Sequence, residues 1–290
     1  MSSSIYRTIH SDHFPTQLEV SFVDGSSRQT LIYEKVSWEV DGERRGLRYG
    51  ENPDQSAALY RLANGNLCLG EVECIRPGNY LASDVELLQS GKHPGKINIT
   101  DADSALNILR YFTDDPACVI VKHNNPSGVA VRATLEEAYL SAFWADPIAA
   151  FGGAVALNRP VDLESAEAMA DRYVEVVCAP DYEEGVLDRL SKRKNLRIMR
   201  IANMERLADF VGQRTIDFKS LMDGGIVCQW SYVPRRLTSE AIECAVAEHK
   251  GNRYQIEREP TEREKADMLF GWFVESGVTS NSVIYVKNRV

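Results

Sequence analysis

Apolar and polar residues alternate in two neighbouring stretches near the start of the chain, QLEVSFV (17–23) and LIYEKVSWEV (31–40). The polar, glycine-containing segment DGSS lies between them. Because successive side chains of a strand point to opposite faces of a sheet, each stretch is typical of a strand with one buried face, and the segment between them favours a turn. The pattern therefore predicts an N-terminal β-hairpin.

Further along the chain the pattern switches repeatedly between helical and extended spacing. Residues 101–112 (DADSALNILRYF) and 134–145 (TLEEAYLSAFWA) carry apolar residues at helical spacing, and Thr134 and Glu137 stand at the positions of a capping box. Between the two helices, ACVIV (117–121) is a short apolar run that suits a central strand covered on both faces. This succession is typical of a layered α/β domain.

The same alternation continues toward the C-terminus. The next predicted elements are a glycine-containing strand in FGGAVAL (151–157), a helix from Leu163 to about Asp171, a strand in YVEVVCA (173–179) and a helix from Glu183 to about Ser191. After the basic stretch SKRKNLR the pattern loosens, and DGGIVCQ (223–229) predicts a turn that leads into one strand. The spacing of Thr261 and Glu264 predicts the start of a last helix, which a strand in NSVIYVKN (281–288) follows.

Composition and charge narrow the class of protein. Of the 290 residues, 44% are hydrophobic and 26% are charged, which is typical of a folded protein with a real core. The formal net charge of −9 argues against a nucleic-acid partner, because phosphate neutralisation requires clustered Lys and Arg. The N-terminus lacks the apolar region of a signal peptide, and no run reaches the ~18 apolar residues of a membrane span. We therefore expect a cytoplasmic protein without a membrane partner.

Cysteine and histidine positions argue against a metal site. The six cysteines are scattered without a CxxC pair, and the five histidines are also dispersed. A zinc site requires closely spaced Cys and His ligands, so we expect no metal, and we expect the cysteines to be free, buried thiols.

The segment VKHNNPSG (121–128) is the strongest candidate for chemistry, because an apolar strand ends directly in Lys122 and His123. In open α/β sheets, ligands collect at the carboxyl ends of strands. The two side chains can face one pocket only if the backbone departs from β geometry, and we expect Pro126 to cause this departure through its constraint on Asn125. The Lys122 ammonium would then disfavour imidazolium and leave His123 able to accept a proton. The alternative is a solvated lysine beside a hydrogen-bonded turn histidine.

Four further segments carry candidate binding groups, and each has a purely structural alternative. Arg48 and Tyr49 combine a guanidinium that fits phosphate with an aromatic hydroxyl, or they form an exposed arginine beside a turn. At Gly152 the missing Cβ allows a ligand, or merely another backbone, to approach closely. Glu175 interrupts an apolar strand, so it faces either inward with a partner or outward to solvent. Asn281, in the SNS motif, either orients a ligand or satisfies a turn.

Six longer segments together carry a resemblance to a known family. In chain order they are LRYGENPDQ (47–55), NITDADSA (98–105), VKHNNPSG (121–128), ADPIAAFGGAVALNRPVD (145–162), EVVCAPDYEE (175–184) and PTEREKADMLFGWFVESGVTSNSVIYVKN (260–288). In this order they resemble the formyltransferase part of the bifunctional purine-biosynthesis family, phosphoribosylaminoimidazolecarboxamide (AICAR) formyltransferase/IMP cyclohydrolase. The resemblance runs from about residue 45 to the end of the chain.

The resemblance implies an enzyme that transfers a formyl group from 10-formyltetrahydrofolate to the 5-amino group of AICAR in de novo IMP biosynthesis, without a metal. It also implies a homodimer with shared active sites and a scaffold of cytidine deaminase-like α/β modules. Matched by position, the catalytic residues are Lys122, His123 and Asn281, with the histidine as proton shuttle, the lysine as its electrostatic partner and the asparagine as a positioning group. The substrate-binding residues implied in the same way are Arg48, Tyr49, Gly152 and Glu175.

The chain also departs from the family pattern. Asp54 and Ser127 replace a histidine and a cysteine at two turn positions, while the distal folate-binding part and the N-terminal cyclohydrolase module are not found. We expect a hairpin extension at 1–45, a complete first module with the Lys-His site at 46–215 and an incomplete second module at 216–290. The alternative function is a non-catalytic nucleotide-binding or assembly module derived from the transformylase. A deaminase is disfavoured because the HxE…PCxxC zinc pattern is missing.

Overall fold

The computed structural model describes residues 12–70, 72–74, 76–235, 238–279 and 281–290. The strands are β1 (Gln17–Asp24), β2 (Ser27–Lys35), β3 (Trp38–Val40), β4 (Glu43–Arg45), β5 (Tyr60–Asn64), β6 (Leu67–Leu69), β7 (Val72–Cys74), β8 (Glu86–Gln89), β9 (Ala117–Lys122), β10 (Asn125–Val131), β11 (Ala154–Leu157), β12 (Val176–Ala179), β13 (Arg197–Arg200), β14 (Ile216–Ser220), β15 (Ile226–Trp230), β16 (Val246–His249) and β17 (Asn252–Gln255). The α-helices are α1 (Lys96–Leu109), α2 (Leu135–Ala145), α3 (Leu163–Ala170), α4 (Val186–Leu190) and α5 (Glu262–Glu275), and 3₁₀ turns span Ala82–Asp84, Ala202–Phe210 and Ser239–Ala241.

A mixed six-stranded sheet forms the centre of the protein, with the strand order β10-β9-β11-β12-β13-β8. Strands β11, β12 and β13 are parallel, whereas β9 is antiparallel to both β10 and β11, and β8 is antiparallel to β13. Every residue of β11 and β12 is buried, as the apolar runs predict for strands covered on both faces. The α/β fold class predicted from the sequence is confirmed, and the cytidine deaminase-like assignment stays a prediction.

Helices cover the two faces of this sheet. On one face, Val119 and Val121 of β9 pack with residues of α1 and α5, including Leu106 and Phe270. On the other face, Cys118 and Ile120 pack with residues of α2, α3 and α4. Alternate residues of one strand therefore serve two separate apolar layers, which explains why the strand is apolar without interruption. Helix α5, which belongs to the predicted second module, packs on the same layer as α1, and the predicted division at residue 216 stays a prediction.

The predicted N-terminal hairpin is confirmed within the described residues. Strands β1 and β2 pair antiparallel from Gln17↔Glu34 to Asp24↔Ser27, and β5 adds a third strand beside β2. The predicted extension 1–45 begins with residues that lie outside the described part of the chain, namely 1–11.

Side-chain caps set the start of two helices as the sequence predicts. Thr134 accepts a hydrogen bond from the backbone N–H of Glu137 at the start of α2. At the start of α5, Thr261 and Glu264 form the full reciprocal capping box. Helix α1 begins at Lys96, five residues before the predicted start, because Asn98 accepts a hydrogen bond from the Gly95 N–H and caps a first turn that has no apolar periodicity.

The prediction of a strand in residues 281–288 is wrong. Within the described part of the chain these residues pair with no strand, and the segment ends in a bend at Lys287 and Asn288, where Asn288 has a φ of 55°. Ile284 and Val286 pack on the core, whereas Val283 and Tyr285 are 83% and 94% exposed. The alternation that suggested a strand therefore reflects a segment with one covered face, and the neighbour needed for ladder hydrogen bonds is absent from the described residues.

The expectation of buried thiols holds for only some cysteines. Cys118 and Cys178 are free and buried, Cys244 is half-buried, and Cys68 and Cys228 are free and exposed on hairpins that have one solvent face. The side chain of Cys74 lies outside the described part of the structure. Among the described residues, no three or more His, Cys, Asp or Glu side chains form a group that could hold a metal ion. No helix in the described ranges is both long and apolar enough to cross a membrane.

Candidate functional site

A two-residue turn at the end of β9 places the Lys-His pair. Lys122 and Asn125 are paired across the hairpin, and His123 and Asn124 connect them with φ values of 54° and 62°. Positive φ at both central positions is the geometry of a tight hairpin turn. The departure from β geometry therefore lies at His123 and Asn124, and its attribution to Pro126 is wrong, since Pro126 lies within β10 and pairs with Val121.

A buried carboxylate beneath this turn was not found from the sequence. Asp101 of α1 is 5% exposed, and its Oδ1 accepts a hydrogen bond of 2.7 Å from the backbone N–H of Asn124. The same carboxylate accepts a backbone hydrogen bond from His123. Burial raises the pKa of Asp101, and these hydrogen bonds together with the nearby His123 oppose the rise. His123 itself is exposed, so its imidazole is open to a ligand.

Lys122 connects the turn to the glycine segment before β11. Its Nζ donates a hydrogen bond of 2.6 Å to the carbonyl oxygen of Phe151. The next residue, Gly152, has a φ of 75° and donates its N–H to the carbonyl oxygen of Tyr173 at 2.8 Å. A Cβ at Gly152 would lie 3.9 Å from Oε1 of Glu175. The backbone geometry thus brings Lys122, Gly152 and Glu175 to the same end of the sheet.

Glu175 faces a partner rather than open solvent alone. Its Oε2 lies 3.3 Å from Nη1 of Arg197, and its Oε1 accepts a hydrogen bond of 3.2 Å from the Tyr173 hydroxyl. The Arg197 side chain is buried, while 36% of the Glu175 side chain stays exposed. Arg197 also donates to the carbonyl oxygen of His93 at 3.4 Å. Sequence reasoning missed Arg197, although an arginine that opens the apolar strand β13 is a signal that could have found it.

Arg48 and Tyr49 lie against the start of α1. The Arg48 N–H donates to the Pro94 carbonyl oxygen at 2.8 Å, and the Lys96 N–H donates to the Tyr49 carbonyl oxygen at 2.9 Å. The Arg48 guanidinium lies 4.2 Å from the Tyr49 ring centroid and donates to the Tyr49 hydroxyl at 2.6 Å. Arg48 is 4% exposed, and burial lowers its pKa, which Tyr49 and Glu175 partly offset. The alternative of an exposed arginine beside a turn is therefore wrong.

His93 lies near Arg48 and Arg197 and was also missed by sequence reasoning. It is 3% exposed, and its Nε2 lies 2.6 Å from the carbonyl oxygen of Gly46. Since a carbonyl oxygen only accepts, Nε2 carries the hydrogen. Burial lowers the pKa of His93, and the charges of Arg45, Arg48 and Arg197 act in the same direction. The backbone of His93 therefore supports one of the two buried guanidinium groups, since its carbonyl oxygen accepts the hydrogen bond from Arg197.

Asn281 lies in a different hollow. It lines a space of about 350 Å³ together with Tyr232, Trp272, Glu275, Ser276, Val278 and Ser282. None of these lining residues belongs to the group around Lys122 and Glu175. Ser280 of the SNS motif lies outside the described residues.

The structure therefore brings six of the seven predicted site residues together. We use the name site cluster for these six and the two groups that support them: Arg48, Tyr49, Asp101, Lys122, His123, Gly152, Glu175 and Arg197. The cluster offers a guanidinium and an ammonium for an anion, a half-exposed carboxylate for an amine or amide, and an exposed imidazole for proton transfer.

Nearly the whole chain is similar to proteins of one family. The sequence profile described as AICARFT/IMPCHase bienzyme matches residues 11–290. The bifunctional purine biosynthesis protein PurH of Persephonella marina is 40% identical over 284 residues, which cover 90% of this chain and 48% of that protein. PurH of Caldicellulosiruptor saccharolyticus is 36% identical over 84% of this chain and 42% of its own length. PurH of Chlorobium phaeobacteroides strain BS1 is 34% identical over 92% of this chain and 44% of its own length. The chain thus spans less than half the length of these relatives.

Proposed function

Since the chain belongs to the AICARFT/IMPCHase bienzyme family, we propose that it transfers a formyl group from 10-formyltetrahydrofolate to the 5-amino group of AICAR. The observation that carries this proposal is the site cluster. Arg48, Lys122, Gly152 and Glu175 come from four separate sequence segments, and they meet at one end of the central sheet. These residues supply the groups that a phosphorylated aminoimidazole carboxamide requires.

Binding of the nucleotide follows from the charges of the cluster. The Arg48 guanidinium is oriented by Tyr49 and suits the phosphate of AICAR. The Glu175 carboxylate accepts hydrogen bonds from the amine or the carboxamide. At Gly152 the missing Cβ leaves room for the ligand beside Glu175.

Proton transfer is the role we propose for His123. The amine of AICAR is a poor nucleophile because it is conjugated with the ring and the carboxamide, so a base must remove its proton as the amine attacks the formyl carbon. The exposed His123 imidazole accepts this proton and passes it to N10 of the leaving folate, a contribution of about 10²–10⁴ in rate. Lys122 stabilises the oxyanion of the tetrahedral intermediate. The new C–N bond forms first and gives the tetrahedral intermediate, and the bond to N10 breaks as this intermediate collapses to the formamide, without a covalent enzyme intermediate or a metal.

The role of Asn281 in this mechanism depends on its distance from the site cluster. The positioning role that we propose for it requires the amide to approach the site cluster, either within the chain or across the contact of a homodimer with shared sites. We also propose that the protein works in the cytoplasm with AICAR and the folate as its small-molecule partners, which its family supports.

A formyl-transfer assay with the purified chain tests the proposal. We expect His123→Ala to abolish turnover, whereas His249→Ala, which changes an exposed histidine on β16, leaves turnover unchanged. AICAR should raise the melting temperature of the wild-type protein. If turnover survives in His123→Ala, His123 does not act in the mechanism. If AICAR leaves the melting temperature of the folded protein unchanged, the proposed nucleotide site is wrong.

A second candidate function is a non-catalytic nucleotide-binding or assembly module derived from the transformylase. The position of Asn281 favours it, because this predicted catalytic residue lines a separate hollow and does not join the site cluster. The same assay separates the two functions. Thermal stabilisation by AICAR together with no turnover supports the module, and turnover that depends on His123 supports the enzyme.

A further inference from the structure

The connection between Asp101 and the Lys-His turn suggests a role for a residue that the proposed function does not use. Asp101 lies on α1, whereas the turn belongs to the β9–β10 hairpin. Its Oδ1 lies 2.7 Å from the backbone nitrogen of Asn124, and it also accepts the backbone hydrogen bond of His123. One buried carboxylate thus holds both residues that connect the two strands.

The turn has a conformation that needs such support. His123 and Asn124 both have positive φ, and neither is a glycine. The left-handed region costs an L-residue about 1–2 kcal/mol, although asparagine tolerates it better than histidine. The Asn125 side chain contributes one further hydrogen bond of 3.0 Å, from Nδ2 to the His123 carbonyl oxygen. Asp101 therefore supplies the charged acceptor that favours this conformation over the alternatives open to the turn.

The position of Asp101 separates it from the substrate. Its side chain is 5% exposed and lies below the turn, while the His123 imidazole is exposed above it. The direction of the imidazole depends on the backbone of His123, because its Cα–Cβ bond follows the local φ and ψ angles. A carboxylate that fixes the two backbone N–H groups consequently fixes the starting direction of the side chain.

We propose that Asp101 is a positioning residue for the formyl transfer, because it holds the left-handed His123–Asn124 turn and thereby aims the imidazole at the substrate. This role rests on the proposed function. Asp101 touches neither reacting group, so its loss affects the reacting geometry more than nucleotide binding. The nucleotide-binding groups Arg48 and Glu175 keep their own partners when Asp101 changes.

Two variants and one matched control test this role. Asp101→Ala removes the acceptor, and Asp101→Asn keeps the volume and one acceptor oxygen, so it provides a folded protein if the alanine variant unfolds. The control is Asp162→Ala, since Asp162 Oδ1 also accepts a backbone N–H at 2.7 Å, from Ser165 at the start of α3 and away from the site cluster. The measurements are kcat, KM for AICAR and hydrogen exchange of the His123 and Asn124 amides.

For Asp101→Ala we expect kcat to fall about 10- to 100-fold while KM for AICAR changes less than about twofold. We expect the His123 and Asn124 amides to exchange about tenfold faster or more, with the Val119 and Ile120 amides unchanged. Asp101→Asn should lie between wild type and Asp101→Ala, and Asp162→Ala should lower stability with kcat unchanged.

The two proposals fail in different ways. An active wild type whose Asp101 variants keep full kcat and slow amide exchange overturns the positioning role and leaves the proposed function intact. A parallel loss of kcat in Asp162→Ala also overturns it, because a general loss of stability then explains both. If the wild-type chain gives no turnover, the proposed function is wrong. If amide exchange is then also unchanged in Asp101→Ala, the proposal that Asp101 stabilises the His123–Asn124 turn is wrong as well.

Discussion

Arg197 lies directly behind Glu175, with its Nη1 3.3 Å from the carboxylate Oε2. The arginine is 1% exposed, and Glu175 reaches the surface only in part. The direction of the carboxylate is therefore set from inside the protein, by a residue of the neighbouring parallel strand. Tyr173 holds the second carboxylate oxygen with its hydroxyl at 3.2 Å. A ligand amine meets a carboxylate whose orientation is already fixed, which lowers the entropy lost on binding.

Replacing Arg197 by methionine should release this carboxylate. Because the Glu175 side chain is 36% exposed, water compensates part of the lost pair, and we expect a loss of about 1–3 kcal/mol in the free energy of unfolding. AICAR should also bind more weakly, since Glu175 loses its orientation. Urea denaturation and a thermal-shift titration measure the two effects.

Arg200→Met is the matched control for this variant, because Arg200 lies on the same strand and pairs with Glu86 on the exposed surface. Exposed pairs of this kind contribute little to stability, so its urea midpoint should stay close to that of the wild type. An equal loss in the free energy of unfolding in the two variants would show that the buried Arg197 pair contributes no more to stability than the exposed Arg200 pair.

Gly152→Ala tests the space beside Glu175. Gly152 has a φ of 75°, and an added Cβ would lie 3.2 Å from the Tyr173 ring and 3.9 Å from Glu175 Oε1. The left-handed conformation alone should cost about 1–2 kcal/mol. The methyl group should in addition weaken AICAR binding, which isothermal titration measures directly.

Gly185→Ala separates the two contributions. Gly185 has a φ of 80°, and nothing lies within 4 Å of an added Cβ. This variant should show a similar loss of stability with unchanged AICAR affinity. If both alanine variants bind AICAR as the wild type does, the space at Gly152 is not part of the nucleotide site.

Gly128→Ala tests the contact between β10 and α2. A Cβ at Gly128 would overlap the backbone carbonyl oxygen of Ala142, which no rotamer change can relieve. Strand and helix must then move apart, and we expect a loss of about 3 kcal/mol or more in the free energy of unfolding. Gly225→Ala, where the nearest group is the flexible Asp223 side chain at 3.1 Å, should change the urea midpoint little. A Gly128→Ala protein of wild-type stability would contradict the close packing of β10 on α2.

The capping box of α5 should make the free energy of unfolding of the protein depend on pH. Hydrogen bonds from Arg258 lower the pKa of Glu264 well below its usual value of 4.5, and those from Thr261 lower it further. A carboxylate whose pKa is lower in the folded protein than in the unfolded chain stabilises the fold at pH values above the unfolded pKa. This stabilisation is lost as the pH falls below about 4.5. The difference in urea midpoint between wild type and Glu264→Gln should therefore be present near neutral pH and shrink at about pH 3.

Glu262→Gln is the control for the pH experiment. Glu262 carries the same charge in the same first turn, but its partner is Lys265 on the exposed surface at 3.1 Å. Its effect on the urea midpoint should be smaller than that of Glu264→Gln at neutral pH. A Glu264→Gln difference that is equally large in acid would rule out the carboxylate as its source.

Local sequence patterns predicted the elements whose stability comes from nearby residues. The capping residues Thr134 and Thr261 and the apolar runs of β9, β11 and β12 all gave the observed elements. Strand β10 was not predicted, because the Pro-Ser-Gly run within NPSGVAV favours a turn, and pairing with β9 overrides that preference. The segment 281–288 shows the opposite error, since its alternation suits a strand that finds no ladder partner in the described part of the chain.

By itself, the sequence determined the α/β class through its periodicity and the starts of α2 and α5 through their caps, while the resemblance of six segments to a known family indicated the family and the Lys122–His123 pair. Only the tertiary structure decided that Asp101 lies under His123, that Arg197 lies behind Glu175, and that Asn281 lies in a separate hollow. Each of these relationships joins residues far apart in the chain. Contacts of that kind depend on how strands and helices pack in three dimensions, and hydrophobic periodicity carries no information about which distant side chains will meet.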